Sequence, residues 1–272
     1  MAVIAAFKDG WTALLENPVL LAAGLIYAVG SQLGTIGELV DSVVVSALAS
    51  IGWFLLVPFV LGGLIGLAVD ALRETDPSVA QFFGAGRTYY VRILLATVLF
   101  VVLVIGVMIV TMIPSFIVGV GLLGIASLES GAALGIGVVL VLGYVLLLAV
   151  FMMYLQFYDA AIVVEDEPVV AALTRSVGLV RRNLVSVIGY SILWSILLNA
   201  FMVPEYLAQL SQNGVWPLES LALEPTTVQL LTVPVSVLLG TVAFAYLYTV
   251  HTAYYVRLVA TDSDGELPTP AD

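Results

Sequence analysis

The chain has no cysteine, one histidine and one lysine, and charged residues make up only 10% of its 272 positions. Without cysteine there is no disulfide, no thiolate metal site, no cysteine nucleophile and no cysteine lipidation. With His251 as the single histidine, neither a histidine metal triad nor a His pair can be built. There is no Asn-x-Ser/Thr acceptor. Nucleophile elbow, zincin helix, Walker loop and dinucleotide fingerprint are all missing. No catalytic residue, metal or cofactor is therefore expected. The formal charge of −11 argues against nucleic acid as a partner.

What is present is apolar. At 62% hydrophobic residues and a mean hydropathy of +1.15, the chain is excluded from the soluble globular class. Several stretches exceed the roughly 18 apolar residues that a spanning helix needs. The opening residues carry no basic n-region, and Lys8 is followed by Asp9, so no removable signal peptide is expected.

The periodicity predicts an all-α integral membrane protein with six transmembrane helices. A first amphipathic helix covers residues 3–16, with Val3, Phe7, Trp11 and Leu14 on one face. Asn17-Pro18 reads as the cap and first turn of span one, which runs to about Gln32. Gly34, Gly37, Glu38 and Asp41 form an outer turn. Span two runs from about Ser42 to Leu72, kinked at Pro58. Asp76-Pro77 opens a second short helix bearing Val79, Phe82, Phe83, Gly86 and Tyr90. Span three follows to Ile113, where Pro114 ends or bends it. Residues 114–136 read as a partly embedded outer segment, and span four covers about Gly137 to Val164. Glu167-Pro168 opens a third short helix, in which Val170, Leu173, Val177, Val180 and Leu184 form one apolar face. Span five runs from Leu184 to about Leu207, bent by Pro204. An outer loop at 208–225 carries Trp216, Pro217, Glu219 and Glu224. Span six runs from Thr226 to about Leu258, and an acidic tail from Thr261 to Asp272 is expected to be disordered.

Sidedness follows from charge. Lys8, Arg73, Arg87, Arg92, Arg175, Arg181, Arg182 and Arg257 are all the basic residues, and each lies on one side of the predicted spans. Basic side chains are retained on the cytoplasmic face, so both termini are placed inside, in the cell membrane. Acids outnumber bases 19 to 8, which fits a host with a salty cytoplasm, as in a halophilic archaeon.

Short helix, span, outer turn, span: this order occurs three times, in units of about 1–73, 74–166 and 167–260. Units two and three align at an offset of 91, with Pro77 on Pro168, Val79 on Val170 and Ala80 on Ala171. The fold class is therefore read as three parallel-repeat hairpins within one domain, residues 1–260.

Polar residues inside spans are the remaining clue to function. Span four gathers Tyr154, Gln156, Tyr158 and Asp159 toward its inner end, and span six places Tyr248, His251, Tyr254, Tyr255 and Arg257 at matching depth. Asp159 is in register to pair with His251 or Arg257. Depth alone also explains these residues, as an aromatic belt with a snorkelling Arg. Ser186, Tyr190, Ser191, Ser195 and Asn199 recur along span five, either as a polar seam or as interhelical glue. Gly30/Gly34, Gly62/Gly66 and Gly131/Gly135 match GxxxG, a weak dimerisation signal.

The segment YDAAIVVEDEPVVAALTRSVGLVRRNLVSVIGY, Tyr158 to Tyr190, resembles the repeated segment of the membrane domain associated with glycerophosphodiester phosphodiesterases and of related six-helix proteins, most of all their haloarchaeal branch. Ala161, Val163, Glu165, Ala172, Leu173, Arg175, Ser176, Arg182 and Asn183 carry the likeness. The resemblance implies fold and membrane location. It does not imply phosphodiesterase activity, because the catalytic barrel of the fused relatives has no counterpart after Leu258. Glu165 and Arg175 are spaced to pair over the Pro168 turn; the alternative is a lipid phosphate held by Arg175, Ser176, Arg181 and Arg182.

The expected function is a non-enzymatic organiser of a membrane complex or lipid environment, with membrane lipid and another membrane protein as partners. The alternative is a small transporter or lipid-handling protein that uses Asp159, His251, Arg257 and Asn199 along the seam of spans four to six.

Overall fold

The computed structural model describes residues 2–33, 42–124, 130–212 and 225–262, which form α-helices and their connections, with no strand among them. Helices α1 (Ala2–Glu16) and α2 (Val19–Ser31) meet at a bend of 100°. The bend is closed by Asn17, whose Nδ2 donates to the Ala13 carbonyl at 2.9 Å. Asn17 therefore finishes α1 and does not cap α2 with its side chain, as the sequence led us to expect. Thirteen residues give α2 a length of about 20 Å, short of the ~30 Å hydrocarbon layer. Five helices are long and apolar enough to cross a membrane, or six if the bent pair counts as one span.

Helix α3 (Val43–Leu72) starts at Ser42, whose Oγ accepts from the Val45 N–H, and continues through Pro58. Helix α4 (Val79–Gly124) starts at a reciprocal capping box: Gln81 Oε1 accepts from the Ser78 N–H, and Ser78 Oγ accepts from the Gln81 N–H. The second short helix is thus the opening turns of the same helix as span three, since no Asn or Pro interrupts residues 79–113. Residue 114 does not end that helix either.

Span four is two helices, α5 (Ser130–Leu155) and α6 (Tyr158–Val164). The third short helix, α7 (Val169–Arg182), follows Pro168 and ends at Asn183, whose Nδ2 donates to the Leu179 carbonyl. Asn183 thus uses the same device as Asn17. Span five stops early, as α8 (Leu184–Phe201). Pro204 falls in the first turn of a separate helix, α9 (Val203–Gln212), where its missing N–H costs no helical bond. Helix α10 (Pro225–Asp262) continues past Leu258. The outer turn at 34–41, Glu129, the loop bearing Trp216 and the tail from residue 263 lie outside the described residues.

The turns into α4 and α7 share one construction. Glu74 and Asp166 both take φ of 57°, the left-handed conformation that ends a helix, and a proline follows within three residues.

Helix α10 is the centre, touching α1, α2, α3, α6, α7, α8 and α9. Small residues permit this closeness. A Cβ on Gly24 would stand 2.3 Å from the Thr241 carbonyl oxygen, so α2 and α10 cross backbone to backbone. Gly66 of the second GxxxG pair lies against Ala85, which assigns that pair to packing of α3 on α4 within the chain.

Both apolar cores gather toward the end that carries the short helices. On α3 every buried residue lies between Pro58 and Ala71, while Val43 is 85% exposed. On α5 no residue between 137 and 150 is buried. Aliphatic surface on this scale belongs in lipid.

Gly24→Ala should lower stability by about 1–3 kcal/mol through overpacking, whereas Gly143→Ala, with no atom within 4 Å of the new methyl, should not. Unfolding midpoints of the two variants in detergent check this, and equal midpoints would refute the close crossing.

Candidate functional site

Two polar clusters lie at the end of the bundle where the short helices meet the spans. The outer one is a charged clasp. Glu165, just past α6, accepts from Arg175 Nε at 2.8 Å and from Nη2 at 2.9 Å, a bidentate pair, and from the Tyr255 hydroxyl at 2.6 Å. Arg175 Nη1 then donates to Asp262 Oδ2 at 2.8 Å, and Arg182 Nη1 pairs with the other oxygen of Asp262. The chain Tyr255–Glu165–Arg175–Asp262–Arg182 ties α6, α7 and α10 together. Hydrogen bonding to Glu165 is the main reason the Arg175 pKa is raised, with burial opposing and Asp262 adding to it. The arginine's contribution to stability is therefore complete at every pH below its ordinary value.

Two further pairs extend the charged layer. Arg257 on α10 binds Asp9 on α1, and Arg92 on α4 binds Asp166 at 2.6 Å. Lys8, Arg73, Arg87 and Arg181 are exposed and form no ion pair among the described residues.

Ser176 is buried, not at the surface. Its Oγ accepts from the Phe157 N–H at 3.1 Å and donates to the Tyr154 carbonyl at 2.8 Å. The hydroxyl of α7 is inserted into the break between α5 and α6 and satisfies both backbone groups that the break frees. Beside it, the Gln156 amide exchanges hydrogen bonds with Ser191 Oγ on α8.

The inner cluster is centred on His251. Its Nε2 lies 3.1 Å from Asp159 Oδ1 and its Nδ1 3.0 Å from the Tyr190 hydroxyl. All three are buried. Phe157 stacks on the imidazole with centroids 5.2 Å apart, and Tyr254 stacks on Tyr190 at 4.3 Å.

The structure thus brings Asp159 and His251 together and separates both from Arg257, which is committed to Asp9. Asn199 is elsewhere: it is exposed, donates to the Ser195 carbonyl and accepts from the Tyr206 hydroxyl. Of the span-five polar series, Ser186 meets Tyr254 and Ser191 meets Gln156, but Ser195 is exposed. A continuous seam along α8 is not formed. Sequence reasoning missed the roles of Asp9, Asp262 and Ser176. Asp262 falls in the stretch read as tail, because Val259, Thr261 and Asp262 are weak helix formers, and a serine in a helix gives no sign of which distant backbone it will reach.

Long apolar helices, breaks patched by side chains and a charged layer at one end define a multi-pass helical membrane protein. The chain belongs to the family described as Domain of unknown function (DUF7847), whose model matches residues 1–258. No curated protein and no solved structure matches it.

Ser176→Ala should cost about 1–3 kcal/mol, because two buried backbone groups lose their partner; an unchanged unfolding midpoint in detergent would contradict the patch. A double-mutant cycle with Glu165→Gln and Arg175→Met should return a coupling of about 0.5–3 kcal/mol, and additive losses would show that the two do not hold each other.

Proposed function

We propose that this is a non-enzymatic membrane protein that organises the lipid around its charged end, or a membrane complex assembled there. The reading further places that end on the cytoplasmic side of the cell membrane, on the strength of the one-sided distribution of Lys and Arg.

One observation carries the proposal: the cations left unpaired are spread over separate elements and sit next to exposed apolar residues. On α1, Ile4, Lys8, Trp11 and Leu15 are all exposed and recur at helical spacing. On α4, Val79, Phe83 and Arg87 do the same, and α7 supplies the exposed Arg181 at its last turn. An apolar stripe with a cation beside it is the composition of a helix lying among headgroups. Of the phosphate contact expected of Arg175, Ser176, Arg181 and Arg182, this reading keeps Arg181 and adds Lys8 and Arg87, since Arg175 is bound to two carboxylates, Arg182 pairs with Asp262 and Ser176 is buried.

The second reading, a small transporter or lipid-handling protein, is favoured by the contact of Asp159 with His251. Its seam lacks an outer half, because Ser195 and Asn199 face away from the bundle.

In native mass spectrometry after gentle extraction, the protein is expected to retain anionic phospholipid, and a Lys8→Gln/Arg87→Gln/Arg181→Gln variant to lose most of it, at about 1 kcal/mol per cation. Equal retention by the variant would end the lipid reading. A stoichiometric second protein in place of lipid would identify the assembled complex instead.

A further inference from the structure

The His251 cluster is not used by a surface that handles headgroups, and its geometry points to a separate property. Three elements each contribute one hydrogen-bonding group to a single row: Asp159 from α6, His251 from α10 and Tyr190 from α8. His251 lies six residues before Arg257, and Asp159 six before Glu165, so the row sits about 9 Å inside the charged layer along both helices. Asp159 Oδ1 also accepts from the Ala160 N–H at 2.8 Å.

Charge within the row is unbalanced. Among the described residues no Lys or Arg pairs with Asp159, and its one ionic partner is the imidazole. Around the cluster the other ionisable groups include the phenols of Tyr158 on α6, Tyr248, Tyr254 and Tyr255 on α10, Tyr27 on α2 and Tyr89 on α4, and Tyr255 donates outward to Glu165. From α1, α3 and α7 the same core receives apolar side chains such as Phe7, Ile65 and Leu179, together with the Ser176 hydroxyl. With a neutral imidazole the row carries one uncompensated negative charge in apolar surroundings, which is costly. One added proton brings it to zero net charge, whether it rests on the ring or on the carboxylate.

The contacts accommodate that proton without moving a heavy atom. With neutral imidazole, Nε2–H donates to Asp159 and Nδ1 accepts from the Tyr190 hydroxyl. With imidazolium, Nδ1–H donates to the same hydroxyl oxygen, which rotates its own proton away. The face of Phe157 lies parallel to the ring, 22° between planes, and an aromatic face favours a cation above it.

We propose that Asp159, His251 and Tyr190 form an intramembrane proton-binding site, which takes up one proton from the charged end and shares it between carboxylate and imidazole. The assignment is independent of the headgroup reading. Its product is a neutral, hydrogen-bonded link among α6, α8 and α10; its deprotonated form is a buried anion that strains the same link.

The single histidine makes the test direct. With the full chain labelled with ¹⁵N at histidine and reconstituted in phosphatidylcholine vesicles, solid-state NMR reads both ring nitrogens of one residue, while infrared spectroscopy reads the carbonyl band of a protonated buried carboxyl. As the pH is lowered stepwise, one proton should be taken up at one of these two groups. Asp159→Asn should abolish the uptake, whether it is read as the carboxyl band or as the change at the ring nitrogens. Tyr190→Phe should leave the fold intact and change the Nδ1 resonance while uptake persists. If neither group changes its protonation in the folded wild-type protein, the site binds no proton and the proposal is overturned. Uptake that is indifferent to Asp159→Asn overturns it equally, and should that variant fail to fold, the wild-type and Tyr190→Phe titrations still decide.

Discussion

In hydrocarbon there is no water to satisfy a freed backbone group, and this constraint governs how the chain turns. A break in a helix is allowed only where a side chain replaces the lost partner. Asn17 and Asn183 return their amides to the carbonyls four residues back, and each marks a point where a short helix gives way to the next. At the break between α5 and α6 the patch comes from a distant element, the hydroxyl of Ser176. Where no such group is supplied, between Val79 and Ile113, the helix runs straight through the expected turn. The threonines of α10 follow the same economy: Thr232, Thr241, Thr249 and Thr252 donate to carbonyls four residues back, so their own hydroxyls are satisfied within the helix.

The polar groups that remain are stratified. Outermost are exposed cations, then ion pairs in which each arginine has a carboxylate, then a layer of stacked aromatic rings enclosing one histidine and one aspartate. Each step inward reduces solvation and increases the demand that a charge be matched. Arg175 illustrates the middle layer: its charge is matched by two carboxylates, one of which also accepts from the Tyr255 hydroxyl.

The sequence made the membrane class and the approximate start of most helices legible, because apolar length and Pro-led or Ser-led starts are local signals. Pro168 and Ser42 fell where α7 and α3 begin, and the register of Asp159 with His251 was readable from equal depth along two spans. Two kinds of feature were not readable. A continuous α4 looks the same in sequence as a short helix followed by a span, since both have the same periodicity. Partner choice across the bundle, Arg257 with Asp9 or Ser176 with the Phe157 N–H, depends on which helices become neighbours, and no local spacing encodes that.

Half of α3 is buried and half is bare, and the same division holds for the molecule: its packed interior lies at one depth and its bare helical rods at another. Such a body does not meet a bilayer symmetrically. Changes in bilayer thickness are absorbed by tilting at small cost per ångström, and here the exposed half of α3 has few packing contacts to resist it. The contacts that resist a change of membrane thickness are therefore concentrated toward the charged clasp, and lipid is the main neighbour of the exposed half of α3.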